Sequence, residues 1–440
     1  MRSVTINPAK MCQPIGAMYA LFGVHAAVPL VHGSQGCTAY PMRMFNRHFG
    51  ELVQVAVSSL GEDASVFGGK KNLVVSIENI IARRHPELIG VITTCLSETI
   101  GDDIDGIIRE GNFEDSRVVP IHTPSYVGSH VTGYDNALKA LVTNLSEESE
   151  PANAKLNILP GMVNPGDVME IKQMLDSMDI SYTILSDISE TLNAPLILPK
   201  PPFPMGGTSV GAIEDCANAC GVISLCEHAG GSAAVYLKGK YGMAADTICP
   251  IGVTNTDRFL DAVCDITGAE IPYSLEQGRG RLIDAMVDVH LKTCGKRAAI
   301  FADPDIALAL AEFVSELGME PVIVSSSTAS RKFLQKAKSV TDGEILNGRD
   351  LYELQRAVKD NEADILFGNT KCKPIAKDED VAFVRCGFPV YDRVGYHRYG
   401  FMGYHGGMYL TDMITNAILE WEERRGDEQS QIRSVRRNGF

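Results

Sequence analysis

Leu88-Ile89-Gly90-Val91-Ile92-Thr93-Thr94-Cys95 decides the architecture of this chain. A short apolar run rich in β-branched residues reads as a strand buried on both faces, the kind found in parallel sheets. It ends directly before a cysteine. Working outward, Val118-Val119-Pro120-Ile121-His122 reads as the next strand and opens into Thr123-Pro124-Ser125-Tyr126-Val127-Gly128. The same texture returns at Leu156-Asn157-Ile158-Leu159, followed by a Pro160-Gly161 turn, a helix around Val168 to Met178 and a strand over Ser181–Leu185. It returns again at Arg297–Ala302, with Asp303-Pro304-Asp305 opening a helix that Gly318 ends, then Pro321–Val324, Ile365–Asn369 and Phe383–Arg385. Strand–helix alternation implies parallel sheets with right-handed crossovers. The expectation is an α/β chain of three Rossmann-like domains, each a mostly parallel sheet flanked by helices. Their expected bounds are 1–150, 151–290 and 291–440, with a linker near Ser146 to Ala154 and a C-terminal helix in the third.

The totals agree. At 440 residues, roughly 150 per domain gives about three domains. A hydrophobic share of 45% and a charged share of 22% describe a globular chain with ample core. No apolar stretch approaches the roughly 18 residues needed to span a bilayer. The opening Met1 to Pro8 has no apolar signal region, so the expected location is cytoplasmic. A formal charge of −15 without a strong basic cluster argues against nucleic-acid binding. No phosphate-binding G-x-x-x-x-G-K-[ST] loop is present. Gln277-Gly278-Arg279-Gly280-Arg281 fails as a dinucleotide fingerprint, because Ile283 stands where its third glycine belongs.

Eleven cysteines in such a chain suggest metal ligands or core filler rather than a disulfide framework. Three of them, Cys12, Cys37 and Cys95, lie in the first quarter among glycine, proline and small polar residues. Each alone reads most simply as packing. Together they read as iron–sulfur ligands, since soft thiolates suit iron and loop N–H groups steady a cluster's negative charge. Clusters normally take four protein thiolates, so three imply a partner protein that completes the site. Ser125 is by default a turn residue, and it can also offer an alkoxide to iron.

Several segments carry a resemblance: N-P-A-K-M-C-Q-P-I-G-A, V-H-G-S-Q-G-C-T-A-Y, N-R-H-F, E-D-A-S-V-F-G-G, T-T-C-L-S-E-T-I-G-D-D, H-T-P-S-Y-V-G-S-H-V-T-G, G-R-G-R-L-I-D-A-M-V-D-V-H and C-G-F-P-V-Y-D-R. They are similar to the β-type subunit of the nitrogenase component 1 family. The resemblance implies an oxidoreductase subunit that relays electrons from an ATP-dependent iron protein to an active-site cofactor in an α-type partner, within an α2β2 heterotetramer. It implies an [8Fe-7S] P-cluster shared between the two chains, with Cys12, Cys37, Cys95 and Ser125 at its iron. It places Tyr40 beside the electron path and Phe67 under the docking iron protein. It also implies a divalent metal at a β–β contact held by Asp284, Asp288 and Glu51, although Gly50 departs from the basic residue common before that glutamate.

Other residues have plainer readings. Asp284 and Asp288 at i, i+4 spacing also describe a solvated helix face. Cys216 and Cys220 are four apart and can share a helix face with Cys226 and His228 nearby, yet the spacing matches no standard zinc pattern and packing is the simpler account. Cys249, Cys264, Cys294, Cys372 and Cys386 read as core. His32, His122 and His130 read as structural residues near the proposed cluster. The implied reaction is dinitrogen reduction; the alternatives are a methylthio-alkane (carbon–sulfur bond) reductase subunit and a cofactor-assembly scaffold, which the three retained cysteines disfavour.

Overall fold

The structure is a computed structural model that describes residues 5–111, 113, 116–149 and 152–437, with side chains to residue 426 in the last helix. Residues 150 and 151 of the expected linker, and the first residues of the N-terminus, lie outside the described residues. Among the described residues thirteen strands form three sheets in which every pairing is parallel. The first contains β1 (Ala27–His32), β2 (Ala56–Val57), β3 (Leu88–Thr93) and β4 (Arg117–Ile121) in the order β2-β1-β3-β4. The second contains β5 (Leu156–Leu159), β6 (Tyr182–Ile184), β7 (Gly221–Ser224) and β8 (Ala244–Thr247) in the order β6-β5-β7-β8. The third contains β9 (Arg297–Phe301), β10 (Glu320–Ser326), β11 (Glu344–Asn347), β12 (Ile365–Gly368) and β13 (Ala382–Arg385) in the order β11-β10-β9-β12-β13. Each order reverses once, so each sheet has a switch point with a crevice at the carboxyl ends of its strands.

The first sheet carries α1 (Gln13–Phe22), α2 (Gly36–Phe49), α3 (Glu62–Phe67), α4 (Lys70–Arg84), α5 (Cys95–Ile100), α6 (Ile104–Gly111) and α7 (His130–Leu145). Pro14 in the first turn of α1 suits a helix start, where its missing N–H costs nothing. α1 and α7 approach to backbone contact at two glycines. A Cβ on Gly16 would stand 1.8 Å from the His130 carbonyl oxygen, and one on Gly133 would stand 1.9 Å from the Gln13 carbonyl oxygen. Only glycine permits that separation.

The main hydrophobic core runs continuously through all three sheets. Tyr19 of α1 and Phe45 and Phe49 of α2 pack with Phe388, which follows β13. The expected boundary at 290 falls inside the helix Tyr273–Thr293. That helix lies along the C-terminal helix Gly403–Arg437, with Leu282 seated against Gly407 and Lys292 paired with Glu422 at 3.4 Å. Among the described residues no helix is long and apolar enough to cross a membrane.

Candidate metal centre

The switch point of the first sheet lies between β1 and β3, and the sequence leaves both strands through cysteine loops. β1 ends at His32 and a tight turn, with the Cys37 N–H on the Ser34 carbonyl at 3.1 Å, brings Cys37 into the first turn of α2. β3 ends at Thr93, and Cys95 opens α5 behind Thr94. Thr94 ties the two exits together: its hydroxyl donates to the His32 carbonyl at 3.1 Å, and its N–H donates to Ser97 Oγ at 2.8 Å. Cys12 arrives from a third segment as the residue capping α1.

The three thiols converge. Burial raises the Cys12 pKa above the usual thiol range, and charge on Cys37 and on Cys95 adds to the rise, while the Ile15 N–H at the start of α1 opposes it. Cys12, Cys37 and Cys95 each cap a helix or lie in its first turn. Cys12 and Cys37 are half-buried, whereas Cys95 is exposed. The trio is set wider than a single ion needs. Among the described residues, only Glu227, His228 and Asp305 have donor atoms all within 4.8 Å of one another. That second trio is already satisfied: Lys332 and Lys336 each approach Glu227 at 2.8 Å, and His228 engages Asp305 at 2.9 Å and Ser330 at 2.8 Å. Two ammonium groups stand where a cation would be needed.

Ser125 lies in the turn after β4, half-buried between β4 and α7. Gln13, the residue next to Cys12, holds that turn. Its side-chain amide donates to the Pro124 carbonyl at 3.1 Å and the Val127 carbonyl at 2.9 Å, and its oxygen accepts from Asn136 at 2.9 Å. The Cys12 and Ser125 segments are therefore fixed to one another by a single buried side chain. Sequence reasoning passed over Gln13; its one signal is a polar residue opening an otherwise apolar helix.

A second connection runs from the crevice to the surface. The buried His32 ring engages Ser58 through Nδ1 at 2.9 Å and Asp102 through Nε2 at 2.9 Å. Burial lowers the His32 pKa, and Asp102 partly offsets that. The same Asp102 carboxylate accepts the Gly69 N–H at 2.9 and 3.1 Å, at the end of the turn that follows α3. Phe67 closes α3 with 87% of its surface exposed. Tyr40 is exposed one helical turn after Cys37, and Tyr126 is exposed beside Ser125. His130 is buried on Asp303 at 3.0 Å, and His122 is exposed beside Asp105 at 2.7 Å.

The remaining candidates divide. Asp284 and Asp288 lie exposed on the helix Tyr273–Thr293, and Glu51 follows α2; no contact brings the three together within one chain. Cys216 and Cys220 do not share a helix: Cys216 sits in a short turn over Asp215–Asn218, and Cys220 precedes β7 with its thiol on the Lys155 carbonyl. Their separation follows from a chain that straightens into β7 between them. Cys372 and Cys386 are core, as expected, and Cys249 and Cys264 are half-buried. Cys294 corrects the sequence reading: it is exposed, because it caps the end of its helix rather than lying on its packed face.

Comparison with known proteins settles the lineage. Residues 12–419 match the family described as nitrogenase component 1 type oxidoreductase. The chain belongs to the nitrogenase component 1 family. It is 43% identical to the nitrogenase molybdenum-iron protein beta chain of Methanococcus maripaludis, with 95% of each chain covered. It is 40% identical to the nitrogenase vanadium-iron protein beta chain of Trichormus variabilis, with 97% of each covered. The solved structure titled "Nitrogenase Cp1 at pH 6.5" superposes with a TM-score of 0.94 at 39% identity, over 96% of this chain and 95% of that one. Membership makes this chain an oxidoreductase component, and its three parallel sheets are those of the family.

Proposed function

We propose that this chain is the β-type subunit of a nitrogenase, and that Cys12, Cys37, Cys95 and Ser125 hold its share of an [8Fe-7S] P-cluster against an α-type partner. One observation carries the reading: three thiols from three separate segments meet at the switch crevice of the first sheet, the third of them facing outward. The donor set fits the group. Soft sulfur ligands suit iron, all three sit at helix starts, and an exposed Cys95 can reach a metal completed by another protein. When bound, such a cluster stores and passes single electrons.

The chain's own work is to position and shield. Gln13 fixes the Ser125 turn beside Cys12, Thr94 ties the Cys37 and Cys95 exits, and Asp102 connects this frame to the loop beneath Phe67. An ATP-dependent iron protein would dock over Phe67, and Tyr40 would lie beside the route toward the partner's cofactor, in an α2β2 assembly. Asp284 and Asp288, with Glu51 of a second copy, hold a divalent metal at the β–β contact. Dinitrogen is the substrate we favour, since the relatives above are named as molybdenum-iron and vanadium-iron nitrogenase chains.

The test is anaerobic purification with the partner, iron analysis and turnover with the iron protein on dinitrogen, acetylene and dimethyl sulfide. Cys95→Ala is expected to lower cluster iron and abolish turnover; a normally active variant overturns the ligand assignment. Reduction of dimethyl sulfide without dinitrogen reduction overturns the substrate.

A further inference from the structure

Cys226 and Cys249 come level at the carboxyl ends of two adjacent strands. β7 and β8 pair in parallel with Ser224 opposite Thr247, and the ladder continues beyond them through the Ile248 N–H on the Ser224 carbonyl at 3.0 Å. The cysteines stand two residues beyond the ends of these strands. Paired strands leave a sheet about 4.8 Å apart, so two chains continuing side by side past its edge start within the roughly 4.4–6.8 Å that a disulfide spans between Cα atoms. The Cys249 side chain is near enough to be the leading influence on the Cys226 thiol, ahead of burial. Both are free, Cys226 buried and Cys249 half-buried.

We propose that Cys226 and Cys249 form a reversible disulfide when the protein meets a low-molecular-weight disulfide. The Cys249 thiolate attacks the small disulfide and releases one small thiolate. The Cys226 sulfur then displaces the second, whose leaving thiolate takes up the Cys226 proton. Two protein thiols are oxidised and one small disulfide is reduced to two thiols. The order follows from the surroundings. The hydrogen bond with Cys249, together with burial, holds the Cys226 thiol protonated well above the usual range, so the more accessible Cys249 reacts first.

The bond would lock a junction. Gly161 packs directly on Cys226, and His228, two residues on, is bound to Asp305 at the start of the helix after β9. The Gly230 and Ser232 N–H groups both donate to Asp135 of α7. Residues 226–232 thus touch segments belonging to all three sheets. This inference is independent of the proposed cluster.

The experiment uses the assembled complex, purified without oxygen and exposed to cystamine, then alkylated and digested without reductant for mass spectrometry. The expected result is a Cys226–Cys249 cross-linked peptide that dithiothreitol reverses, with both thiols lost from alkylation together and the thermal midpoint raised. In Cys249→Ser the cross-link and the midpoint shift are both absent, and Cys226 stays alkylatable after unfolding. A cystamine adduct that persists on Cys249 without closing, or two thiols that remain free at full exposure, overturns the proposal.

Discussion

Gln13 shows how much of the candidate site rests on one side chain that touches no metal. It is buried, and every polar atom of its amide is used, on the Pro124 and Val127 carbonyls and on Asn136. Gln13→Leu fills the same space but removes three part-buried hydrogen bonds, each worth about 0.5–1.5 kcal/mol. The expected outcome is a lower thermal midpoint, with a loss of about 2–4 kcal/mol. Phe67 is the opposite case. Phe67→Ala is expected to leave the denaturation midpoint within about 0.5 kcal/mol, because the ring makes little contact within the chain. Iron-protein-driven turnover is expected to fall about tenfold or more, as for an aromatic anchor at an interface; unchanged turnover removes the docking role. The cysteines were legible because their loops are rich in glycine and small residues. Gln13 and the Asp102–His32 link were not, since their partners are far along the chain and, for Gln13, include backbone atoms without sequence identity.

Secondary-structure elements were legible where burial and β-branching coincide, and elusive elsewhere. β3, β5, β9 and β12 are mostly apolar and buried along nearly their whole length. β8 is Ala244-Ala245-Asp246-Thr247, half-exposed on the edge of its sheet and without a strand-like composition. β1 carries Pro29 within it, which normally argues against a strand. The structure accommodates it because β2 pairs only with Leu30 and Val31, so the neighbouring edge is open at Pro29. The α1–α7 contact gives the sharpest element-scale test. Gly133→Ala would push a methyl group into the Gln13 backbone, and relief requires the helices to separate. Overpacking of this kind costs about 1–3 kcal/mol or more. The expected result is destabilisation accompanied by loss of bound iron, measured by calorimetry and iron analysis, since Cys12 and Ser125 move apart with their helices.

At the scale of the whole molecule, His48 is where the first and third sheets' segments are joined. Its Nδ1 accepts the Val390 N–H at 2.8 Å, and Nε2 donates to Asn164 at 3.2 Å, the residue that caps the helix after β5. Burial, above all, lowers its pKa from 6.5 to about 4. The neutral ring is the native form, while the unfolded chain takes up a proton below about pH 6.5. Between pH 6.5 and about 4 the unfolded state therefore binds more protons, and stability falls as pH falls through that window, by roughly 3 kcal/mol in all. His48→Gln is expected to begin less stable at pH 7 but to lose less on going to pH 5, read from urea midpoints; parallel slopes would refute this. The three-sheet plan could be read from strand alternation. The fusion of the sheets through His48 and Phe388 could not, because the N-R-H-F and C-G-F-P-V-Y-D-R segments give no hint that they meet. The position of the three thiols has a bearing on timing. Cys12, Cys37 and Cys95 belong to stretches that only a finished parallel sheet draws side by side, so no fragment bearing just one of them can gather the set. On the proposed role, iron would be handed to architecture already standing, and cargo would follow scaffolding in the life of this polypeptide.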